Sequence, residues 1–288
     1  MSAKKRTFKD IRTHFLKELN SIYPDQEIIA ITNLIFKTHF GIERLHLLMD
    51  SSQIIPSRNL KKIFEICDEL KTGKPPQYVL GQTSFYNCTI KVNNQTLIPR
   101  PETEELVDLI IKENSGFSGR IMDIGTGSGC IAIAIKKNLQ KAELTGIDIS
   151  DEALKVASHN AKLNDVNVLF LKRDILKIDT ESIPSAEIIV SNPPYVLESE
   201  KQYMKKNVLD FEPHSSLFVP DENPLLFYMA IINLSQKILS PQGKIYFEIN
   251  ENKGREICAL LESAGYSEVK IVKDINSKER IVKGVMHV

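Results

Sequence analysis

The sequence contains no tryptophan, few aromatics (7 %) and no net charge, its 37 basic residues matching 37 acidic ones. The charge balance argues against a surface built to ride on a nucleic-acid backbone, which needs an excess of Lys and Arg. Of the four cysteines, Cys67, Cys88, Cys130 and Cys258, none is in a CxxC pair, which excludes the usual zinc modules. Free thiols of this kind point to a reducing compartment, so a cytoplasmic location is expected. The six histidines, His14, His39, His46, His159, His214 and His287, form no ligand pattern, so no metal is expected and most read as surface or helix-face residues. No apolar run approaches the roughly 18–20 residues that span a bilayer. The opening MSAKKRTFKD lacks the apolar region of a secretory signal.

What is present is a chain of 288 residues, 42 % hydrophobic, enough for one large and one small domain. The first part is helical: FKDIRTHFLKEL sets Phe8, Ile11, Phe15 and Leu19 on one apolar face. DQEIIAITNLIFKTHF and SRNLKKIFEICDELKTG repeat the pattern, with Ser57 expected as an N-cap and Gly73 as a stop. A punctuated connector, GKPPQYVLGQ, leads to SFYNCTIKVNNQTLIPR, read as a β-hairpin turning at Asn93-Asn94. PETEELVDLIIKEN opens a helix with Pro101 at its start and acids in its first turn. From Arg120 onward, strands and helices alternate, and two further strand-like pieces close the chain. The expected fold class is α/β: a doubly wound, mostly parallel seven-stranded sheet, Rossmann-like, with a small N-terminal helical bundle and a β-hairpin linker. The expected divisions are a bundle over 1–75, a linker over 76–100 and the sheet domain over 101–288. One long stretch, 196–223, reads as irregular, and a loop of that length is usually functional.

MDIGTGSGC ends the first sheet strand and opens a helix. Gly125, Gly127 and Gly129 let the backbone turn tightly and approach a ligand, at the strand end where open α/β sheets bind. The spacing is neither GxGxxG nor a P-loop. Asp148 ends the next strand and can accept hydrogen bonds from two ribose hydroxyls. With no lysine in the loop, the ligand expected is a nucleoside without a phosphate chain. Asp174, after the third strand, is either a turn former or a neighbour of the base. Asp123-x-Gly125-x-Gly127-x-Gly129 followed by Asp148 resembles the signature of class I S-adenosylmethionine-dependent methyltransferases, from about Arg120 to the C-terminus.

The strand IIVSN ends at Asn192-Pro193-Pro194-Tyr195. The Asn192 side-chain oxygen and the Pro193 carbonyl are two acceptors; the prolines have locked φ and no N–H, so no donor competes; Tyr195 has a flat face for stacking. Two acceptors and a flat face match a planar –NH2 group, an amide or the exocyclic amine of adenine. Holding both N–H bonds favours the pyramidal nitrogen that attacks a methyl group.

QYVLGQTSFYN, TLIPRPETEELVD, DIGTGSGCIAIA, VSNPPY and DFEPHSSLF, in this order, resemble the HemK/PrmC family of protein-glutamine N5-methyltransferases. The resemblance implies methylation of the Gly-Gly-Gln glutamine of class I peptide chain release factors. In it, Asn192, Pro193 and Tyr195 are the catalytic group, and together with Pro194, Arg100 and Glu102 they hold the substrate. Asp123, Gly125, Thr126, Gly127, Ser128, Gly129, Asp148, Asp174, Ile175 and Asn192 hold S-adenosylmethionine. Glu104 lies in the segment approaching the site and Glu212-Pro213 in the loop over it, while the N-terminal bundle contacts the protein substrate. The resemblance also implies no membrane, no direct nucleic-acid binding and a monomer. One departure is visible: a glycine usual in a D-x-x-G-x-x-R pattern is Ser277 in DINSKER, which is expected to affect a turn and not the chemistry. Two other readings are an N6-adenine methyltransferase, opposed by the zero net charge and the lack of a target-recognition region, and a non-catalytic module on the same fold, opposed by the intact glycines, Asp148 and Asn192.

Overall fold

The computed structural model describes residues 6–43, 52–177 and 183–287. His46 and the two chain ends of the expected domains lie outside the described residues.

Two compact units result: residues 1–81 with 205–211, and residues 82–204 with 212–288. In the first, α1 (Phe8–Leu19), α2 (Asp25–Phe40), α3 (Ser57–Lys71) and α4 (Pro76–Leu80) enclose a core that includes Ile11, Phe15, Phe36, Ile63 and Ile66. The apolar spacing read in α1 is the buried face: Phe8, Ile11, Phe15 and Leu19 are all covered. Thr7 starts that helix with a capping box to Asp10, satisfying two orphan amides at once. Helix α3 starts differently from expectation. Pro56 holds the cap position and Ser57 is already helical, with no side-chain cap bond. The extended backbone at Pro56 (φ −55°, ψ 133°) brings the chain into the helix by itself. At the other end Gly73, at φ +83°, closes the turn with its N–H on the Leu70 carbonyl.

The second unit opens with a hairpin, β1 (Gln82–Phe85) and β2 (Cys88–Lys91). Its turn is Tyr86-Asn87, at φ +42° and +61°, and not Asn93-Asn94. A two-residue turn of this kind needs positive φ at both positions and normally signals itself with glycine. Here the unfavourable Tyr86 backbone is held by two bonds instead: its N–H donates to Glu104 Oε1 (2.8 Å) and its hydroxyl to Asp108 Oδ1 (2.9 Å). Asn93 makes a local turn, accepting from the Gln95 N–H at 2.9 Å. Helices α5 (Pro101–Glu113), α6 (Cys130–Asn138), α7 (Asp151–Leu163), α8 (Leu226–Ile238) and α9 (Gly254–Ser263) alternate with strands β3 (Arg120–Ile124), β4 (Glu143–Asp148), β5 (Leu169–Lys172), β6 (Ala186–Ser191), β7 (Leu239–Glu248), β8 (Tyr266–Lys273) and β9 (Glu279–Met286). The buried amide of Asn160 on α7 and that of Asn164, which caps its end, bond the backbone of β2, so the hairpin's polar edge is satisfied by side chains.

The seven strands β3 to β9 form one sheet in the order β8-β9-β7-β6-β3-β4-β5. β7, β6, β3, β4 and β5 run parallel, while β9 pairs antiparallel with β7 and with β8. The central strands are apolar on both faces because helices cover both. Residues 196–223, read as irregular, contain short elements: Val196–Leu197 pairs in parallel with Phe218–Val219, and 3-10 turns cover Glu198–Tyr203 and His214–Ser216. Elements this short have no detectable periodicity.

Candidate active site

Strand register builds the site. Ile124 of β3 lies beside Ile147 of β4 and Ser191 of β6, and Ser191 lies beside Phe247 of β7. One step further along each parallel strand come Gly125, Asp148, Asn192 and Glu248. Four residues far apart in sequence therefore leave the sheet in one row at its carboxyl edge, where open α/β sheets bind ligands. Ser191, fully buried, reinforces the row by donating its hydroxyl to the Ile124 carbonyl at 2.6 Å.

On the β3–β4 side, the loop 125–129 turns with Gly125, Gly127 and Gly129 at φ +73°, +53° and +79°. In front of Gly125 there is open space: a Cβ there would meet nothing within 4 Å. At Gly129 a Cβ would lie 3.0 Å from Ala157 Cβ, so this glycine lets α6 and α7 come together. Asp148 holds the loop from below, accepting the Gly127 N–H on Oδ2 and the Ser150 N–H on Oδ1, each at 2.9 Å. An ionised carboxylate has about four lone-pair sites, so capacity for a hydroxyl remains beside the backbone donors. Burial raises the Asp148 pKa, opposed by the backbone N–H groups of Ser150, Gly127 and Ile149. A backbone cradle with open space in front and a carboxylate able to accept hydroxyls fits the nucleoside of S-adenosylmethionine.

Asp123, Thr126 and Ser128 face inward, all buried. Thr126 donates to Asp123 Oδ2 at 2.6 Å, leaving Oδ1 without a hydrogen-bond partner. Burial, above all, pushes the Asp123 carboxyl up to about 7, with Thr126 and the Ala132 backbone opposing and the Asp148 charge adding to it. These side chains frame the loop. Asp174 accepts the Leu176 N–H at 3.0 Å, the turn-forming alternative, and Ile175 begins the 3-10 turn there and packs on the core.

On the β6–β7 side, Asn192, Pro194 and Tyr195 are half-buried and Pro193 is buried. The Asn192 Nδ2 donates to Thr103 Oγ1 at 3.2 Å, and Thr103 donates to Glu248 Oε2 at 2.6 Å. Glu248 Oε1 accepts from the Tyr195 hydroxyl at 3.3 Å. Glu248 is almost wholly buried. Burial drives its carboxyl up to about 7, against the pull of Thr103, Arg280 and Tyr195, with Glu102 adding to the rise. Burial likewise raises the Tyr195 pKa, so its phenol stays protonated.

Sequence reading missed Glu248 and Thr103. An acid at a strand end and a threonine in a helix's first turn have no signal of their own. Arg100 pairs with buried Glu212 at 2.6 Å, and Glu212 also accepts the Ile98 N–H at 3.2 Å. Glu102 is half-buried near Glu248, while Glu104 serves the hairpin turn. No group of three or more metal-ligating side chains occurs among the described residues, and no described helix is long and apolar enough to cross a membrane.

The DINSKER segment joins β8 to β9. Asp274 accepts the N–H groups of Asn276 (2.9 Å) and Lys278 (3.0 Å) and the Arg280 Nε (3.2 Å). Ser277 sits at φ +62°, a left-handed conformation that costs a non-glycine residue about 1 kcal/mol. Ser277→Gly is therefore expected to stabilise the protein by roughly 0.5–1 kcal/mol in urea denaturation, the added chain entropy of glycine offsetting part of the gain. A loss of stability would refute the strained-turn assignment.

Residues 10–81 match a family model described as the PrmC N-terminal domain, and residues 102–210 one described as a methyltransferase small domain. A curated release factor glutamine methyltransferase from Flavobacterium psychrophilum is 44 % identical over 96 % of this chain and 98 % of its own length. One from Bacteroides thetaiotaomicron is 43 % identical over 94 % and 98 %. A solved methyltransferase structure from Pyrococcus furiosus shares the fold, with TM-score 0.52 at 18 % identity over 81 % of this chain and all of that one.

Proposed function

The chain belongs to the release factor glutamine methyltransferase family, and from that premise we propose that it transfers a methyl group from S-adenosylmethionine to the side-chain amide nitrogen, N5, of the Gly-Gly-Gln glutamine in class I peptide chain release factors. The observation that carries this reading is the row Asp148, Gly125, Asn192 at one sheet edge. It brings a nucleoside cradle beside a pair of acceptors for –NH2.

S-adenosylmethionine, which the 125–129 backbone and Asp148 would hold, would supply a methyl group on a sulfonium able to leave as a neutral thioether. The chain's own residues do the rest by position. Asn192 Oδ1 and the Pro193 carbonyl accept the two amide N–H bonds, weakening conjugation of the nitrogen lone pair and aiming it at the methyl. Tyr195, anchored through its hydroxyl on Glu248, offers its ring to the amide plane. The nitrogen would form its new bond to the methyl carbon as the carbon–sulfur bond broke, and the surplus amide proton would pass to solvent water. Positioning and fixed dipoles are sufficient for a leaving group of this kind.

The N-terminal unit, with residues 1–75 as its bulk, is assigned to contact with the protein substrate, and 76–100 to the connection with the methyl-transfer domain over 101–288. A monomer acting in the cytoplasm, where release factors work, fits the four free cysteines. The test is methyl transfer from labelled S-adenosylmethionine to an unmethylated release factor, to the same factor with its Gly-Gly-Gln glutamine changed to alanine, and to unmethylated DNA. Label in the first alone is the expected result. Label that survives the glutamine change, or that appears in DNA, would reject the proposed acceptor.

A further inference from the structure

Asn192 can serve the proposed reaction only with one end of its amide towards the acceptor. Its oxygen accepts an N–H; its –NH2 end would oppose one. Rotating the amide by half a turn exchanges the two at little steric cost, so something must fix the choice. We propose that Thr103 and Glu248 are positioning residues: Glu248, as a carboxylate, forces the Thr103 hydroxyl to donate to it, which obliges Asn192 to turn its –NH2 to Thr103 and leaves its oxygen free for the substrate amide.

An ionised carboxylate only accepts, and threonine has a single hydroxyl proton. At 2.6 Å from Glu248 Oε2 that proton is committed, so the group meeting Thr103 Oγ1 at 3.2 Å must be a donor. Thr103 and Glu248 are both buried. The other carboxylate oxygen holds the Tyr195 hydroxyl, so one buried acid sets the direction of the relay to both polar side chains of the Asn-Pro-Pro-Tyr turn. Protonation of Glu248 removes the constraint: the acid can donate to Thr103, Thr103 can donate to Asn192, and the amide turns over.

The groups facing Glu248 are Thr103 and Glu102 of α5, Tyr195, Arg280 of β9, Tyr228 of α8, whose hydroxyl donates to the Glu248 carbonyl at 3.0 Å, and the Cys130 thiol. Arg280, itself held by Asp274, is the cation among them. It favours the carboxylate, while burial and Glu102 favour the acid. A change of relay direction at or below pH about 7 follows.

This inference rests on the proposed methyl transfer. It is tested by measuring kcat and KM for an unmethylated release factor between pH 5.5 and 9 with wild type, Thr103→Ser, Thr103→Val and Glu248→Gln. S-adenosylmethionine affinity is followed in parallel by calorimetry. Thr103→Val should lose roughly 10- to 100-fold in kcat, the scale of one buried polar partner, with donor affinity unchanged. Thr103→Ser, which keeps the hydroxyl, should stay within about threefold. Wild type should fall on the acid side, and Glu248→Gln, lower at its plateau, should lack that limb because its amide does not titrate. Equal activity of the valine and serine variants, or an acid limb that survives Glu248→Gln, would overturn the relay and leave the methyltransferase standing. A wild type that labels no release factor would overturn both.

Discussion

Asn192→Ala is expected to lower kcat for methyl transfer by about 10²–10³-fold, the loss typical of one aimed polar group at a reacting centre. It should lower S-adenosylmethionine affinity by less than about tenfold. The asymmetry follows from the site. In the proposed reading the donor's nucleoside lies against the 125–129 backbone after β3 and Asp148 at the end of β4, while Asn192 follows β6 with its Nδ2 committed to Thr103. What the variant removes, under the proposed mechanism, is the oxygen for the acceptor amide. The fold should tolerate the change, because Ser191 still ties β6 to β3 through its bond to the Ile124 carbonyl. Single-turnover transfer and calorimetry separate the two effects. If donor affinity fell as far as kcat did, Asn192 would belong to the cofactor site and not to the acceptor grip.

Glu248→Gln should make the protein more stable at pH 8, and the gain should nearly vanish at pH 5. The sign follows from the raised pKa. Burial lifts the Glu248 carboxyl from 4.5 to about 7, so the folded protein holds a proton that the unfolded chain releases. The stability associated with the neutral acid is complete below about 4.5 and is lost as pH rises through about 7. Above that, wild type carries the cost of a buried charge, on the order of 3 kcal/mol for a shift of this size. A glutamine keeps the shape without that charge, and its amide can offer Thr103 either its oxygen or its –NH2, so it no longer fixes the relay's direction. Urea denaturation of both proteins at pH 8 and pH 5 reads the difference, and an equal difference at both pH values would show that Glu248 titrates normally. Together with the loss of activity expected from the same substitution, a gain in stability would mark Glu248 as a residue whose charge weakens the fold and serves the site.

The sequence alone carried the parts of this protein that depend on local chemistry. Helix α1 was legible from the apolar spacing of Phe8, Ile11, Phe15 and Leu19, and α5 from Pro101 and the acids behind it. The parallel sheet followed from apolar strands alternating with helices, and the glycine loop and Asn-Pro-Pro-Tyr turn from residue types that few other roles require. Where two local signals competed, the sequence misled: Asn93-Asn94 looked like the hairpin turn, yet Tyr86-Asn87 makes it, because Glu104 and Asp108, 18 and 22 residues away, hold Tyr86 in a backbone it would not choose alone. Likewise Ser57 yielded the cap to Pro56.

Only the tertiary structure decided which acid matters at the centre of the site. The chain has 37 Asp and Glu residues, and nothing in the segment KIYFEI distinguishes Glu248 from the others. Strand register does: Phe247 pairs with Ser191, and so Glu248 meets Asn192's partner, Thr103, at the end of the sheet. Local sequence dictates which residues turn, cap and pair. Which of them share a buried environment, and so have altered charge and a fixed hydrogen-bond direction, depends on contacts between residues 53 to 145 positions apart, and these exist only once the sheet has formed.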